Sequence, residues 1–279
     1  MNSIWFDIEN AQVYEKYAQN HSLYRKTGQR LLALASLPSN TTIVDLACGT
    51  GVVTEQLVQM VPNSHQIIAI DGSTAMLEIA RRKPLLAAVQ FHQSRAEEIH
   101  TWLPPASVDV VLCNSAFWQM AARETLTAIS FVLKPSGQFI FNSPTQTRTN
   151  QEERPAFTYS LGLQMLHIAQ KEYNYVPPQK KQRSIETIEH LPPEQVQQMI
   201  ESIGFEIAQH QMIEIERTAA DIYAFLQIPV MTLRYLPDLD YPTRMEILDK
   251  AYQHFNPSLV DLARWAYYVL IKKKAVLAQ

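Results

Sequence analysis

Two carboxylates and two glycines could do chemistry together in the first third of the chain. Asp45, Gly49 and Gly51 stand in the stretch VDLACGTG, residues 44–51, and Asp71 follows Gly51 by 20 residues. A glycine turn between a strand and a helix lets the backbone turn sharply and points free N–H groups at a ligand. An acid at this offset accepts hydrogen bonds from ribose hydroxyls. The spacing therefore predicts a site for a nucleotide-type cofactor.

The charge of Asp45 distinguishes between such cofactors. A strand running into the turn would place this carboxylate beneath the loop, where a pyrophosphate would be repelled and a cofactor with an ammonium and a sulfonium attracted. A nicotinamide dehydrogenase with a degenerate fingerprint stays open as an alternative, although its pattern favours Gly or Ala where Thr54 stands. Asp45 thus favours a cationic ligand.

The stretch 44–51 resembles the first motif of the class I S-adenosylmethionine-dependent methyltransferases. The resemblance implies that the glycine loop holds the methionine part of S-adenosylmethionine, with Asp45 near its amino group and Asp71 on its ribose. S-adenosyl-L-homocysteine would be the product. It also implies a small-molecule acceptor.

The same resemblance implies cofactor contacts at the other strand ends and in the helix expected at 8–20, which we call the leading helix. A tyrosine of that helix is expected beside the cofactor, unless it packs on the sheet edge. Arg95 stands where the family usually has an acid, so the adenine contact is expected from Ala96 or Glu97. The expected cofactor-binding residues are Tyr17, Asp45, Ala47, Gly49, Gly51, Asp71, Gly72, Met76, Ala96, Glu97, Asn114, Ala116 and Trp118.

An oxygen or carbon acceptor needs a base to take its proton, and histidine is the commonest choice at neutral pH. His167, in the apolar helix expected around residues 161–169, is the candidate base; the alternative is a surface or structurally satisfied histidine. The chain lacks the ligand spacings CxxC and HExxH, so no protein-bound metal is expected.

Hydrophobic periodicity predicts an α/β fold, because short apolar runs alternate with amphipathic segments of about ten residues. The predicted strands are 43–46, 66–70, 88–92, 108–113, 138–142, 205–216 and 265–271. Two helices, 8–20 and 22–36, are predicted before the first strand, and the helices between the strands are predicted at 51–61, 73–83, 121–133 and 193–203. The resemblance implies a Rossmann-like, mostly parallel sheet of seven strands with helices on both faces, the last strand being antiparallel.

The whole chain, 1–279, is expected to form one methyltransferase domain with a helical cap. Proline-punctuated stretches interrupt the alternation and are assigned to the cap. The core is expected at about 37–143, 193–216 and 263–275, and the cap at 1–36, 144–192 and 217–262.

Composition limits the partners. The chain is 47% hydrophobic with a formal net charge of −3, which argues against a general nucleic-acid binder. No apolar run reaches the roughly 18 residues of a membrane span, and the first residues lack a signal-peptide pattern, so a cytoplasmic location is expected. The two cysteines, Cys48 and Cys113, are expected to be reduced. The oligomeric state is not predicted.

The first functional hypothesis is methyl transfer from S-adenosylmethionine to a small, partly apolar metabolite, with O-methylation favoured. C-methyl or methylene transfer to an unsaturated acceptor such as a lipid or isoprenoid is the second. A dehydrogenase and a non-catalytic cofactor-binding module on the same fold are the remaining alternatives.

Overall fold

The computed structural model describes residues 3–61, 65–144, 157–178, 191, 193–256 and 258–274. The parts of the predicted cap at 145–156 and 179–190, and the last residue of the predicted core, Ala275, lie outside the described residues.

Within the described ranges, seven strands, numbered in chain order, form one sheet in the order β3-β2-β1-β4-β5-β7-β6. The first five pair in parallel, and β7 runs antiparallel to both of its neighbours, β5 and β6. The predicted sheet is confirmed, with the last strand inserted between two others. The strands are β1 Thr42–Leu46, β2 Gln66–Asp71, β3 Gln90–Gln93, β4 Val108–Cys113, β5 Leu133–Pro144, β6 Phe205–Thr218 and β7 Val260–Lys272.

Helices cover both faces of this sheet because each has one apolar stripe to bury. On one face α5 and α7 pack over three phenylalanines, Phe117, Phe139 and Phe141. On the other, α1, α2 and α3 pack over β1 and the centre of β7. The helices are α1 Ile8–Asn20, α2 Leu23–Leu32, α3 Val52–Met60, α4 Thr74–Arg81, α5 Ala122–Val132, α6 Phe157–Glu172, α7 Pro193–Ser202, α8 Ala219–Leu226, α9 Pro229–Thr232 and α10 Tyr241–Tyr252.

Three differences from the predicted bounds bear on the architecture, and they concern α2, β5 and the paired strands β6 and β7. Helix α2 ends at Leu32, four residues early, and β5 begins at Leu133, five residues before the predicted start. The early start of β5 comes from a bulge: Val108 pairs with Leu133, whereas Val110 already pairs with Gln138. Residues 134–137, which lie between the predicted helix 121–133 and the predicted strand 138–142, are thus part of the strand as an irregularity.

The third difference is that β6 and β7 are longer than predicted. Strand β5 ends at Pro144, opposite Trp265, but β6 and β7 remain paired as far as Thr218 and Val260. They project past the carboxyl edge of the sheet as a two-stranded extension, and we call the part beyond β5, residues 214–218 with 260–264, the ribbon. Alternating polar residues face solvent there, so periodicity alone underestimates its length.

The segment of chain that connects the two strands of the ribbon forms a small helical layer. Helices α8, α9 and α10 connect β6 to β7, and α6 packs against α8 and α10 in a separate apolar cluster centred on Leu161, Met165, Ile222 and Leu248. We call these four helices the cap helices. Two polar contacts join them to α1: Val230 N–H donates to Asn10 Oδ1 at 3.1 Å, and His21 Nδ1 lies 2.7 Å from Asp221 Oδ1.

Gly162 of α6 tests how the cap helices pack. A Cβ there would lie 2.1 Å from Cε1 of Tyr235, so the close approach of helix and ring depends on glycine. Gly162→Ala would gain about 1 kcal/mol in helix propensity but cost about 1–3 kcal/mol or more in overpacking. We expect net destabilisation in urea unfolding. In a Tyr235→Ala background the same change should become neutral or stabilising, and equal losses in both backgrounds would contradict the packing argument.

Candidate functional site

The glycine loop between β1 and α3 has the strained backbone that its sequence predicts. Gly49 (φ 55°) and Gly51 (φ 91°) both adopt the left-handed region, which favours glycine. A Cβ on Gly51 would also lie 2.7 Å from Cδ1 of Leu86. The Cys48 N–H donates to the Ile70 carbonyl at 3.0 Å, so the loop is tied to the end of β2. Ala47 enters the loop with a positive φ of 57°.

Asp71 connects this loop with the next strand-to-helix turn. Its Oδ2 accepts the Gly49 N–H and its Oδ1 accepts the Ser73 N–H, each at 2.8 Å. Burial raises the pKa of this carboxyl, while the two N–H donors oppose the rise. Each carboxylate oxygen has a second lone pair, so Asp71 can still accept hydrogen bonds from a ligand.

Asp45 lies beneath the loop, as predicted, with 1% of its surface exposed. Its Oδ2 accepts a hydrogen bond of 2.5 Å from Thr54 Oγ1, which explains a threonine at the position where a dehydrogenase pattern favours Gly or Ala. Burial and, less strongly, the charge of Asp71 raise the pKa of Asp45 to about 7. The carboxylate is therefore poorly stabilised in the protein alone.

The pair Asp45 and Asp71 fits a cationic ligand. In the described part of the chain neither carboxylate forms a salt bridge with a lysine, arginine or histidine. The hydroxyl of Thr50, a fully buried residue of the same loop, also lacks a hydrogen-bond partner there. A ligand with an ammonium group and hydroxyls would supply what these groups lack.

The leading helix places Tyr14, rather than Tyr17, against the glycine loop. The ring of Tyr14 is 3.7 Å from where a Cβ of Gly49 would stand, and the charges of Asp71 and Asp45 contribute to its raised pKa, behind burial. Tyr17 lies one aromatic layer further away, edge-on to Tyr24. The two tyrosines are three residues apart, so sequence spacing alone could not choose between them.

At the third strand end, Glu97 is already engaged by the protein. Its Oε1 accepts the Ala121 N–H at 3.3 Å and its Oε2 lies 3.4 Å from Arg95 Nε. Ala96 is buried in the core beneath it. Met76, on α4, is 3% exposed and packs against Ala11 of the leading helix. A role for Glu97 toward adenine would require it to give up these contacts.

The turn after β4 is held by Asn142, a residue that the sequence analysis missed. This fully buried side chain donates from Nδ2 to Asn114 Oδ1 at 2.8 Å and accepts the Ser115 N–H on Oδ1 at 2.6 Å. Trp118 Nε1 in turn donates to the Ser115 carbonyl at 3.0 Å. Asn142 thus fixes the turn that carries Asn114, Ala116 and Trp118. Its only sequence signal is a polar residue within an apolar strand.

The first residues of the chain cover this edge of the sheet, which the sequence analysis also missed. The segment Ser3–Phe6 is a short 3₁₀ helix, and Trp5 Nε1 donates to Gln119 Oε1 at 3.0 Å. The Phe6 ring is 3.7 Å from where a Cβ of Gly72 would stand. An isolated aromatic pair near a chain end carries no periodicity that would have placed it.

His167 has an exposed side chain on α6, on the opposite side from Leu161, Met165 and Ile168, which are buried. The described structure shows no contact of this histidine with the glycine loop or with the turn after β4. His167 therefore plays no part in the mechanism proposed below.

Neither a metal site nor a membrane span is found in the described ranges. No three histidine, cysteine, aspartate or glutamate side chains come close enough together to hold an ion. No described helix combines the length and the apolar character that a bilayer crossing needs. Cys48 and Cys113 are both free and buried.

A family model described as a methyltransferase domain matches residues 37–202, more than half of the chain. The chain belongs to this methyltransferase family. The predicted resemblance to the class I S-adenosylmethionine-dependent enzymes is confirmed, and S-adenosylmethionine is the cofactor of the family.

Curated methyltransferases match the chain over part of its length. A trans-aconitate 2-methyltransferase of Acidovorax sp. (strain JS42) is 32% identical over 133 residues, 47% of this chain and 48% of the relative. A malonyl-[acyl-carrier protein] O-methyltransferase of Bacillus cereus is 31% identical over 135 residues, with the same two shares. The alignments thus span about half the length of these relatives.

Solved methyltransferase structures share the fold over most of the chain. A putative methyltransferase of Bacillus halodurans C-125 has a TM-score of 0.56 at 17% identity and covers 89% of this chain and 100% of its own. A geranyl diphosphate C-methyltransferase of Streptomyces coelicolor A3(2), solved with S-adenosyl-L-homocysteine, has a TM-score of 0.52 at 11% identity and covers 90% and 80%. At these identities the likeness shows the fold alone.

The hydrogen bond from Thr54 to Asp45 gives a pH-dependent stability. A hydrogen bond to a charged carboxylate contributes about 1.5–3 kcal/mol and one to a neutral group about 0.5–1.5 kcal/mol. Because the pKa of Asp45 is about 7, the carboxyl is mostly protonated at pH 6 and mostly ionised at pH 8. Thr54→Val should therefore lower the free energy of unfolding by about 2 kcal/mol at pH 8 and by about 1 kcal/mol at pH 6.

The matched control is Thr27→Val. Thr27 is also fully buried, but its Oγ1 donates to the Tyr24 carbonyl, which does not ionise. Urea unfolding of this variant should show the same loss at both pH values. A loss that is equally independent of pH for Thr54→Val would contradict the raised pKa of Asp45.

Proposed function

We propose that this protein transfers the methyl group of S-adenosylmethionine to a carboxylate oxygen of a small acceptor molecule. The observation that carries the cofactor assignment is a pair of carboxylates, buried Asp45 beneath the glycine loop and half-buried Asp71 beside it, neither with a cationic partner in the described structure. The carboxylate acceptor is supported by the names of the two curated relatives, since trans-aconitate and a malonyl thioester both carry carboxylates.

Each group of the loop has a proposed task toward the cofactor. Asp45 would neutralise the ammonium, and the free lone pairs of Asp71 would accept hydrogen bonds from the ribose hydroxyls. Gly49 would leave space for the methionine part, with Tyr14 as its wall, and Gly51 allows the loop to turn against Leu86. The turn held by Asn142 presents the backbone of Asn114 and Ala116 to the reacting end.

The cofactor supplies an electrophilic methyl group on a sulfonium. The protein then has to align the acceptor oxygen and keep out water, and alignment alone can supply about 7–11 kcal/mol of the barrier. A carboxylate is ionised at neutral pH, since its ordinary pKa is about 4, and so needs no base. This agrees with the exposed position of His167. Opposite charges disappear in the reaction, which an enclosed aromatic wall favours over water.

Binding of S-adenosyl-L-homocysteine should depend on pH through Asp45. Only the ionised carboxylate attracts the ammonium, and with a pKa of about 7 the ionised fraction rises about tenfold between pH 6 and pH 8. Calorimetric titration should therefore show an affinity about tenfold higher at pH 8, together with proton release on binding at pH 6.

Asp45→Asn is the matched control, because it keeps the shape and an acceptor for Thr54 while removing the charge. The variant should bind S-adenosyl-L-homocysteine about tenfold more weakly at pH 8 and lose the pH dependence. An unchanged pH profile in the variant would refute the assignment of the ammonium to Asp45.

The acceptor chemistry is tested by incubating the purified protein with S-adenosylmethionine and a panel of carboxylic acids, phenols and amines. Mass spectrometry should find one added methyl group on an acid, and mild alkali should release it again, because a methyl ester hydrolyses whereas an N- or C-methyl group does not. A methyl group that survives alkali would refute carboxylate methylation and leave the cofactor assignment intact.

A further inference from the structure

The inner face of the ribbon carries an arginine. Paired residues on neighbouring strands share a face, so Ile215 and Arg217 of β6 lie on the same side as Ala263 and Asp261 of β7. That side packs on α1 and α2, whereas Glu214 and Arg264 pair on the other side. The Arg217 side chain is 11% exposed. A cation thus points toward the layer between the ribbon and the leading helices.

Arg217 is only partly satisfied in this position. Its Nη2 donates to Asp261 Oδ2 at 2.9 Å, but its buried Nε has no hydrogen-bond partner in the described structure. A guanidinium has five N–H donors and can hold two carboxylates at once. Asp261 occupies one of these positions and leaves the Nε edge open to an acceptor.

Tyr17 has the same deficiency. It is 3% exposed, and its hydroxyl also lacks a partner in the described ranges. Tyr17 and Ile215 belong to one buried apolar cluster, and Arg217 follows Ile215 by two residues on the same face of β6. Burial raises the pKa of Tyr17, the charge of Arg217 opposes the rise, and the charge of Asp221 adds to it. The ring is fixed by stacking on His21 and by an edge contact with Phe225. The hydroxyl therefore cannot turn away to find water.

An unsatisfied buried donor costs about 1–3 kcal/mol, so two such donors near each other indicate a missing acceptor atom. Arginine Nε can only donate, which excludes another donor as the missing group. A carboxylate is an acceptor of suitable charge and shape for both.

The location suits the acceptor rather than the cofactor. Tyr14 borders the glycine loop, Tyr24 lies 5.0 Å from Tyr14 between ring centroids, and Tyr17 lies 5.8 Å from Tyr24. The Tyr17 hydroxyl and Arg217 are thus separated from the cofactor loop by an aromatic layer. A group held there would lie away from the reacting methyl group, on the side of the aromatic layer that faces the ribbon.

We propose that Arg217 and Tyr17 form an anion subsite that binds a second, non-reacting carboxylate of the acceptor. The proposal rests on the proposed function and narrows it: the acceptor is an acid with at least two carboxylates, one methylated and one held by Arg217. Such remote binding energy orients the reacting carboxylate at the methyl group.

The test uses calorimetric titration of the protein saturated with S-adenosyl-L-homocysteine. The probes are trans-aconitate, which has three carboxylates, and crotonate, which has one. The wild type should bind trans-aconitate and discriminate against crotonate. Arg217→Gln should weaken trans-aconitate binding about 30-fold and Tyr17→Phe about fivefold, with unchanged affinity for S-adenosyl-L-homocysteine. Arg264→Gln, on the other face of the ribbon, should change neither.

The variant Asp261→Asn distinguishes two roles for Arg217, an anion subsite and a purely structural ion pair. A purely structural pair is broken equally from either side, so both variants would then have the same effect. In the subsite, loss of the Asp261 charge removes a competitor for Arg217, so trans-aconitate should bind as tightly as in wild type or more tightly. Thermal unfolding checks each variant, and Arg217→Lys, which keeps the charge but lacks Nε, should give an intermediate loss if Arg217→Gln does not fold.

Each of three binding results would overturn the subsite: no binding of trans-aconitate to the wild type, equal binding by Arg217→Gln, or an equal loss in Asp261→Asn. Methylation of acids with a single carboxylate, with equal efficiency in Arg217→Gln, would also overturn it while supporting the proposed function. Failure of the wild type to bind S-adenosyl-L-homocysteine would instead refute the proposed function itself.

Discussion

The contact on which the site depends is the acceptance of two backbone N–H groups by one carboxylate, Asp71. By holding the Gly49 N–H and the Ser73 N–H, this side chain joins the turn after β1 to the turn after β2. Both turns end neighbouring parallel strands, so the contact exists only once β1 and β2 are paired in register. The glycine loop is thus shaped by the sheet beneath it and by an acid from the next strand.

The same arrangement leaves the charge of Asp45 without a cationic partner in the described part of the protein. Asp45 is buried beneath the loop that Asp71 holds, and burial together with the neighbouring charge raises its pKa to about 7. Ionised groups in such surroundings are stable only when a partner arrives. Binding of a cationic cofactor and the ionisation of Asp45 are therefore coupled.

Past the carboxyl edge of the sheet, the two strands of the ribbon form a surface against which the leading helices pack. Its inner face packs on α1 and α2, and the helices between its strands reach α1 through Asn10 and His21. The leading helix is consequently held between the glycine loop, which Tyr14 contacts, and the ribbon, which Tyr17 faces. Two tyrosines three residues apart can serve two regions because successive turns of one helix face different neighbours.

Local patterns in the sequence determined the parts of this protein that depend on neighbours along the chain. Alternating apolar runs fixed the strands and the helices of the sheet, and the glycine motif fixed the loop, because backbone conformation and amphipathic periodicity are local properties. The positions of Asp45 beneath the loop and of Asp71 beside it followed from the same strands.

Only the tertiary structure decided which side chains remain available at the site. Glu97 is engaged by Ala121, Asn142 holds a turn 28 residues away, and His167 faces outward. The ribbon packs the face that carries Arg217 against the apolar cluster of Tyr17, 200 residues distant in sequence. Contacts of this kind depend on strand register and on how separate layers pack, and neither leaves a mark in the local sequence.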